Sequence, residues 1–461
     1  MNRRAHTTLA VLAVALVAIG CTSTSPTPSP SAAEGSPAAS PGAEMGLIPQ
    51  PEPPEDLEVA PDDQRIDLEM PAFSDPNEIT NTYFPVSDQH SVLLTGTVDD
   101  QAFRTEVTLL PTTRVLQWEG QQVEVAVSQY VAFLDGRLQE VAYDLYAQAD
   151  DGSVWYFGED VFNFADGAIV DTHGSWIAGV DGPAAMIMPA DPQVGDVYRP
   201  ENIPGLVFEE VTVTSVDETL DGPFGPIEAG LVVSELHMDG ETEEKQFAPG
   251  YGEFYTAAGG DVEALALGIP TDASTDPEPE QLATLITEPR SLLGALAAGD
   301  TDAVSESLDR IIAAREDYPA GQIPVLLGPL LDEALERLTT AVEDGDDAAI
   351  GQAAIDLGRL ALDLGLRHRP QAGIEVGRFD LWLAQVQLDA AAEDTANLNG
   401  DYFALDYVRE RFVSELSPEQ AAGINLGMEE LLSLIGDEDF DGVADLADEM
   451  RASIEAISPN D

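Results

Sequence analysis

Hydrophobic residues change their spacing once along this 461-residue chain, and that change dictates its architecture. From about Phe73 to Tyr255 apolar and polar positions alternate. Val123, Val125, Val127, Val131 and Phe133 alternate with Glu124, Ala126, Ser128, Tyr130 and Ala132, and Val141, Tyr143 and Leu145 with Glu140, Ala142, Asp144 and Tyr146. A period of two belongs to half-buried antiparallel strands, whose successive side chains point to opposite faces. Asp-Gly pairs at 135–136, 151–152, 166–167, 181–182, 221–222 and 239–240 supply the positive φ that tight hairpins need. The pattern predicts an all-β antiparallel meander of about ten strands over residues 73–256, curved into a half-barrel or partly open barrel.

From Gln281 to Ile457 the apolar spacing becomes helical. Ile350, Ala354, Leu357, Ala361 and Leu364 share one face, as do Leu331, Leu335, Leu338 and Val342. Gly-Asp recurs at 299–300, 345–346 and 436–437, with a weaker equivalent at 400–401. This marks a degenerate repeat of roughly 45 residues, each unit a helical hairpin. Ser417-Pro418-Glu419-Gln420 is a helix start, with Ser as N-cap and Gln reaching back to it. The fold class is therefore α+β in separate domains. The second domain, at 281–457, is expected to be an all-α bundle or short solenoid, with a linker at 257–280 and a tail at 458–461.

The first residues give an address. Arg3 and Arg4 precede an apolar run from Leu9 to Ile19, then Gly20 and Cys21, the sole cysteine of the chain. The run is too short to span a bilayer comfortably. The order resembles the bacterial lipoprotein signal, whose lipobox ends in a small residue before the Cys that becomes the lipidated N-terminus. Ala18 stands where Leu is commoner. The resemblance implies a signal peptide at 1–20, lipidation (palmitate included) at Cys21, and a bilayer partner at the extracytoplasmic face of the cell membrane. Stable anchoring takes two acyl chains, at about 0.8 kcal/mol per buried methylene. Residues 21–72, rich in Pro, Ser, Ala and Glu, then read as an extended tether. With one thiol no intramolecular disulfide can form, so packing must hold the fold.

Charge excludes one class of partner. The chain carries 86 acidic against 19 basic residues, for a formal net charge of −67, and Lys245 is its only lysine. Such a surface repels nucleic acid. At 44% hydrophobic the chain is nonetheless too apolar for a disordered acidic polymer.

Four stretches of the β region resemble an uncharacterised family of exported, mostly actinobacterial proteins: Asn81–Pro85, Val154–Glu159, Gly174–Gly182 and Ile187–Arg199. Arg367–Pro370 and Arg378–Trp382 look similar to companion helical domains. The resemblance carries no assigned activity, so it transfers no catalytic residues. By fold analogy alone, a curved lipid-anchored meander is similar to half-barrel carriers that shelter acyl chains.

Candidate chemistry is sparse. Residues 437–448 can be read as an EF-hand loop, with Asp437, Asp439, Asp441, the Val443 carbonyl, Asp445 and Asp448 around Ca2+ and Gly442 at the turn. Against this, Phe440, Val443, Ala447 and Met450 fit a continuous helix face, on which those ligands would fan apart. Trp118, Tyr143, Trp155, Tyr156 and Trp176 either line a cavity for an apolar ligand or fill the core. Asp171, His173 and Ser175 have the residue types of a nucleophilic triad, but positions two apart on a strand lie nearly 7 Å apart, too far for a relay. His90, His173 and His237 fall on separate strands. Arg359, Arg367, His368, Arg369 and Arg378 form the densest positive cluster. With Asp356, Asp363, Glu375 and Asp380 nearby, an ion-pair network or an anion site follows, and Arg378 and Asp380 beside Trp382 suggest an internal polar clasp. No resident cofactor is required. The function expected is non-enzymatic binding or scaffolding at the cell envelope; the alternatives are an apolar-ligand carrier and an envelope hydrolase.

Overall fold

The structure, a computed structural model, describes residues 46–55 and 57–455. Cys21 and the signal segment lie outside them. Among the described residues an N-terminal antiparallel sheet precedes eight α-helices. The strands are β1 (Ser91–Val98), β2 (Gln101–Trp118), β3 (Gln121–Leu134), β4 (Arg137–Gln148), β5 (Val154–Ala165), β6 (Ala168–Asp171), β7 (Trp176–Ile177), β8 (Ala185–Met188), β9 (Val197–Ile203), β10 (Val207–Gly222), β11 (Gly225–His237), β12 (Thr242–Ala248), β13 (Gly252–Ala258) and β14 (Asp261–Ile269). They run β6-β5-β4-β3-β2-β1-β14-β13-β12-β11-β10-β9 across one open sheet, with β7 and β8 also pairing with β5. Two meanders thus meet at the β1–β14 pair, where Ser91 faces Ile269.

The strands outnumber the sequence expectation, and the end of β13 together with β14 occupies residues 257–269 of the stretch read as linker. Gly259 and Gly260 there make a hairpin turn, with φ of 61° and 119°, rather than a domain boundary. Asp135-Gly136 and Asp166-Gly167 do turn hairpins, with both φ angles positive in each. Asp221-Gly222, by contrast, lies at the end of β10, and the chain turns at Pro223-Phe224.

The sheet curls until its two arms share a core: Val125, Val127, Leu145 and Trp155 from one arm pack in the same cluster as Val211, Val213, Leu231 and Val233 from the other. Part of the expected tether joins it. Ile48 is buried there, the Ile66 N–H donates to the Val197 carbonyl along the β9 edge, and Arg65 pairs with Asp67, which accepts from the Arg199 N–H. Residues 46–55 and 57–72 are thus a strap over a sheet edge, which removes unpaired strand groups from solvent.

The helices form four hairpins: α1 (Glu280–Ala297) with α2 (Thr301–Glu316), α3 (Leu327–Asp344) with α4 (Asp347–Gly365), α5 (Gln371–Ala391) with α6 (Thr395–Glu410), and α7 (Pro418–Gly436) with α8 (Phe440–Glu455). Each hairpin turns through a left-handed residue followed by an Asp that caps the next helix: Gly299-Asp300, Gly345-Asp346, Glu393-Asp394 and Glu438-Asp439. The repeat is real, but its register differs from the Gly-Asp pattern in the last two units. Glutamate occupies the left-handed position there, at a cost of about 1–2 kcal/mol.

Gly400-Asp401 is no turn but part of α6, where it serves the domain interface. A Cβ on Gly400 would sit 3.3 Å from the Cα of Gly167, the tip of the β5–β6 hairpin, and a Cβ on Gly167 would sit 1.7 Å from the Ala396 carbonyl oxygen. Gly167→Ala is therefore expected to destabilise the protein clearly more than Gly136→Ala. Gly136 has a similar φ (77° against 70°), but a Cβ there meets nothing within 4 Å. The control should cost about 1–2 kcal/mol of backbone strain, and Gly167→Ala about 1–3 kcal/mol more for the clash. Paired thermal melts measure the difference.

Candidate functional site

Both faces of β3, β4 and β5 are buried over most of their length, and each face of the sheet there buries charge. One face of β2, β3 and β4 lies under the helices, where Val131 and Phe133 of β3 and Val141 of β4 pack with Phe379, Trp382 and Leu383. Beside this apolar contact, Arg104 and Glu106, two apart on β2 and so on one face, enter the interface. Arg104 grips Asp363 of α4 through both guanidinium nitrogens, at 2.7 and 2.9 Å. Arg378 of α5 donates to Glu375 at 2.7 Å and to Asp363 at 2.9 Å. Arg411, following α6, donates to Glu106, Glu375 and Gln129. Three arginines thus face three carboxylates. Burial opposes the charge of Glu106, but Arg378, Arg104 and Arg411 together hold it well below the usual carboxylate range.

A cavity of about 40 Å³ opens next to this network, lined by Arg104, Glu106, Phe133, Gly136, Arg359, Arg378 and Trp382. The Arg359 guanidinium stacks over Trp382, 4.1 Å from its ring centroid, and Trp382 in turn stacks on Phe133. Its nearest carboxylate is Asp356 at 3.8 Å, which also lies 3.5 Å from Arg337. On the far side of Gly136, Arg137 bridges Asp389 and Asp401. Burial and the charge of Asp389 push the Asp401 carboxyl well up.

The other buried face lies inside the curled sheet and is acidic. Glu140 and Asp144 of β4, Glu159 of β5, Glu201 of β9, Glu235 of β11, Glu243 of β12 and Glu263 of β14 are all more than nine-tenths buried. Their charges act across the two arms, as Glu140 does on Glu263 and Glu201 on Glu159. Desolvation, then neighbouring carboxylates, raises Glu140 to about 8. Desolvation raises Asp144 to about 7, against the hydrogen bond from Tyr156, and lifts Glu159, Glu201 and Glu263 well above their ordinary value. Lys245 and His237 are the cations of this interior. Lys245 lies 2.8 Å from Glu235, and His237, held up at about 9 against desolvation by Glu243, Glu209 and Glu235, lies 3.4 Å from Glu243. Glu209, Glu235 and His237 bring potential metal-ligating atoms within 4.8 Å of one another. Lys245 and the imidazolium already supply that cluster with positive charge.

The residues singled out from sequence fall as follows. Trp118, Trp155, Tyr156 and Trp176 are buried in the shared core, where Trp118 packs on Trp155 and Phe157, and Tyr156 on Trp176. Tyr143 instead faces α6 and donates to Glu410. The expected calcium loop is not a loop. Asp441, Val443, Asp445 and Asp448 lie within α8, Asp439 caps it by accepting from the Gly442 N–H, and Val443 is fully buried. An EF-hand needs an open turn to converge six or more oxygens, and the helix fans these apart. Asp171, His173 and Ser175 are tied to nearby backbone rather than to one another's side chains: Asp171 accepts from the His173 N–H and Ser175 Oγ from that of Val161.

In the basic cluster, Arg378 meets Asp363 and Glu375, partners its sequence neighbourhood suggested, whereas Asp380 pairs with Arg451. Arg367 donates to the carbonyls of Asp272 and Gln322, and Arg369 pairs with Glu278. Sequence reasoning missed Arg104, Glu106 and Arg411. The one local signal was a pair of opposite charges two apart on β2, and so on one face of the strand.

Fold and sites together define a two-domain protein, a curled antiparallel sheet joined to four helical hairpins through buried ion pairs. No family model matches the chain, and no curated protein is significantly similar to it.

Proposed function

We propose that this protein is a lipid-anchored, non-enzymatic binding or scaffold protein of the extracytoplasmic membrane face, tethered through Cys21. What carries the reading is how the aromatic-rich interior is used: Trp118, Trp155, Trp176 and Phe157 fill a continuous core built from both arms of the sheet. A carrier would keep such side chains around a ligand-sized space. The interdomain ion pairs support a rigid platform in which sheet and helices present a single surface to a partner.

Masses of the detergent-extracted mature protein under native and denaturing conditions test this. Acyl mass on Cys21 is expected in both states, with no additional native-only mass. A native-only adduct of lipid size would replace the scaffold reading with the carrier, and an unmodified Cys21 would remove the anchor.

A further inference from the structure

We infer that adjacent strands β10, β11 and β12 build a binding site for a divalent first-row transition metal ion such as zinc. His237 Nε2, Glu235 and Glu243 are its protein ligands, and Glu209 orients the imidazole from the other side of the ring. This goes beyond the scaffold reading and depends neither on it nor on the lipid anchor.

Three observations converge. First, the sheet register assembles the group. Glu209 of β10 stands directly opposite His237 of β11, and Glu235 of β11 directly opposite Glu243 of β12. Glu235 and His237 are two apart and so share a face. One nitrogen of His237 and one oxygen each of Glu209 and Glu235 lie within 4.8 Å of one another. Glu235 and Glu243, both buried, repel across the strands unless positive charge lies between them. Second, the spacing around the ring suits ligands of an ion better than hydrogen bonds. Nε2 lies 3.4 Å from Glu243 Oε1 and 3.7 Å from Glu235 Oε1, and Nδ1 lies 3.5 Å from Glu209 Oε1. A direct imidazolium–carboxylate bond closes to about 2.8 Å. Tetrahedral ligands held about 2.1 Å from zinc stand roughly 3.4 Å apart. Glu235 Oε1 is buried and accepts no well-aligned hydrogen bond, its close neighbour being the Lys245 ammonium at 2.8 Å. Third, the charges call for two more positive units. Lys245 offsets one of the three carboxylates, and a divalent ion on a neutral imidazole balances the other two. The further groups whose charges reach this cluster, Glu201, Glu253 and Glu263, are acidic, so a wider count raises the demand.

The ion and a proton on Nε2 exclude each other, so the metal-free chain carries the imidazolium. A nitrogen among the donors selects zinc and its first-row neighbours over calcium and magnesium, which prefer oxygen alone. A carboxylate on Nδ1–H is the usual support of a metal-bound histidine, and it fixes the tautomer that leaves Nε2 free. The His237 and Glu209 side chains keep 22% and 13% exposure, which gives the ion a path from solvent.

Zinc sulfate is the probe, titrated calorimetrically into chelator-stripped protein near neutral pH, with excess magnesium present to occupy exposed carboxylates. One equivalent of zinc is expected to bind over the magnesium background. Its affinity should fall by about tenfold or more in His237→Gln, which removes the nitrogen ligand, and by roughly tenfold in Glu209→Gln, which removes the support behind the ring. Circular dichroism melts establish that each variant is folded; if the His237 variant is not, Glu209→Gln, at a partly exposed position, carries the comparison. Equal zinc binding by wild type and variants would overturn the proposal, because the ion would then sit on other carboxylates. Absence of zinc binding above the magnesium background would overturn it too. Displacement of zinc by an equal concentration of calcium would overturn the assignment to a transition metal.

Discussion

Glu106→Gln is expected to loosen the junction between sheet and helices and to lower stability by about 3–5 kcal/mol, the cost of removing one partner from a buried charge network. The substitution keeps volume and shape but removes the one carboxylate that meets Arg104, Arg378 and Arg411 together. Three buried guanidiniums would then share Asp363 and Glu375. The melting temperature should fall by several degrees, and limited proteolysis between β14 and α1 should speed up. A double-mutant cycle with Arg411→Met is the sharper measurement. Because Arg411 keeps only Glu375 as a carboxylate partner once Glu106 is gone, the pair should be less destabilised than the sum of the singles. Strict additivity would mean that the network does not couple the domains.

The acidic interior of the sheet sets the second expectation: stability falls as pH rises from about 5 to about 9. Glu140 and Glu235 each titrate at about 8 in the fold, and Asp144 at about 7, all above their unfolded values. Between the unfolded and folded pKa the native state binds more protons, so raising pH pulls the equilibrium toward the unfolded chain. His237 acts in the same direction. Its folded pKa of about 9 exceeds the unfolded 6.5, so its contribution is complete below the lower value and lost through the higher. Glu243, held at about 2, works oppositely: its contribution is complete above the unfolded value of 4.5 and is lost only as pH falls toward 2, outside this range. Glu140→Gln should remove part of the slope and raise the melting temperature at pH 8. A tenfold change in proton affinity is worth roughly 1.4 kcal/mol, so the gain is on the order of 3 kcal/mol. Melts of both proteins across this range check it, and parallel curves would show that Glu140 is not protonated in the native state.

Both expectations rest on residues whose roles the sequence conceals to different degrees. The alternation along β3 and β4 is legible because side-chain direction on a strand is local, and so are the hairpins at Asp135-Gly136 and Asp166-Gly167. What alternation cannot reveal is that Glu140 and Asp144, on the polar face, point into a second buried space. That follows only from the sheet curling on itself while helices cover its other face. Arg104 and Asp363 are 259 positions apart, so no local pattern joins them. The calcium spacing at 437–448 misleads for a related reason. A capped helix and a metal loop both call for Asp at the first turn, and the buried Val443 and Ala447 decide for the helix. Gly400-Asp401 has the composition of a hairpin turn, yet it answers to two partners on the other domain.

The meeting of the first and last strands at the centre of the sheet also bears on how the molecule is made. Each arm is a run of hairpins between neighbours, quick to assemble as the chain emerges. The seam between the arms must wait until residue 269 has arrived to face residue 91. Closing so long a loop before its contacts can repay it slows folding. Meanwhile β1, most of whose residues are buried in the finished sheet, stands as an open template for another chain. The interval before β14 arrives is thus the period in which this protein is most exposed to misassembly.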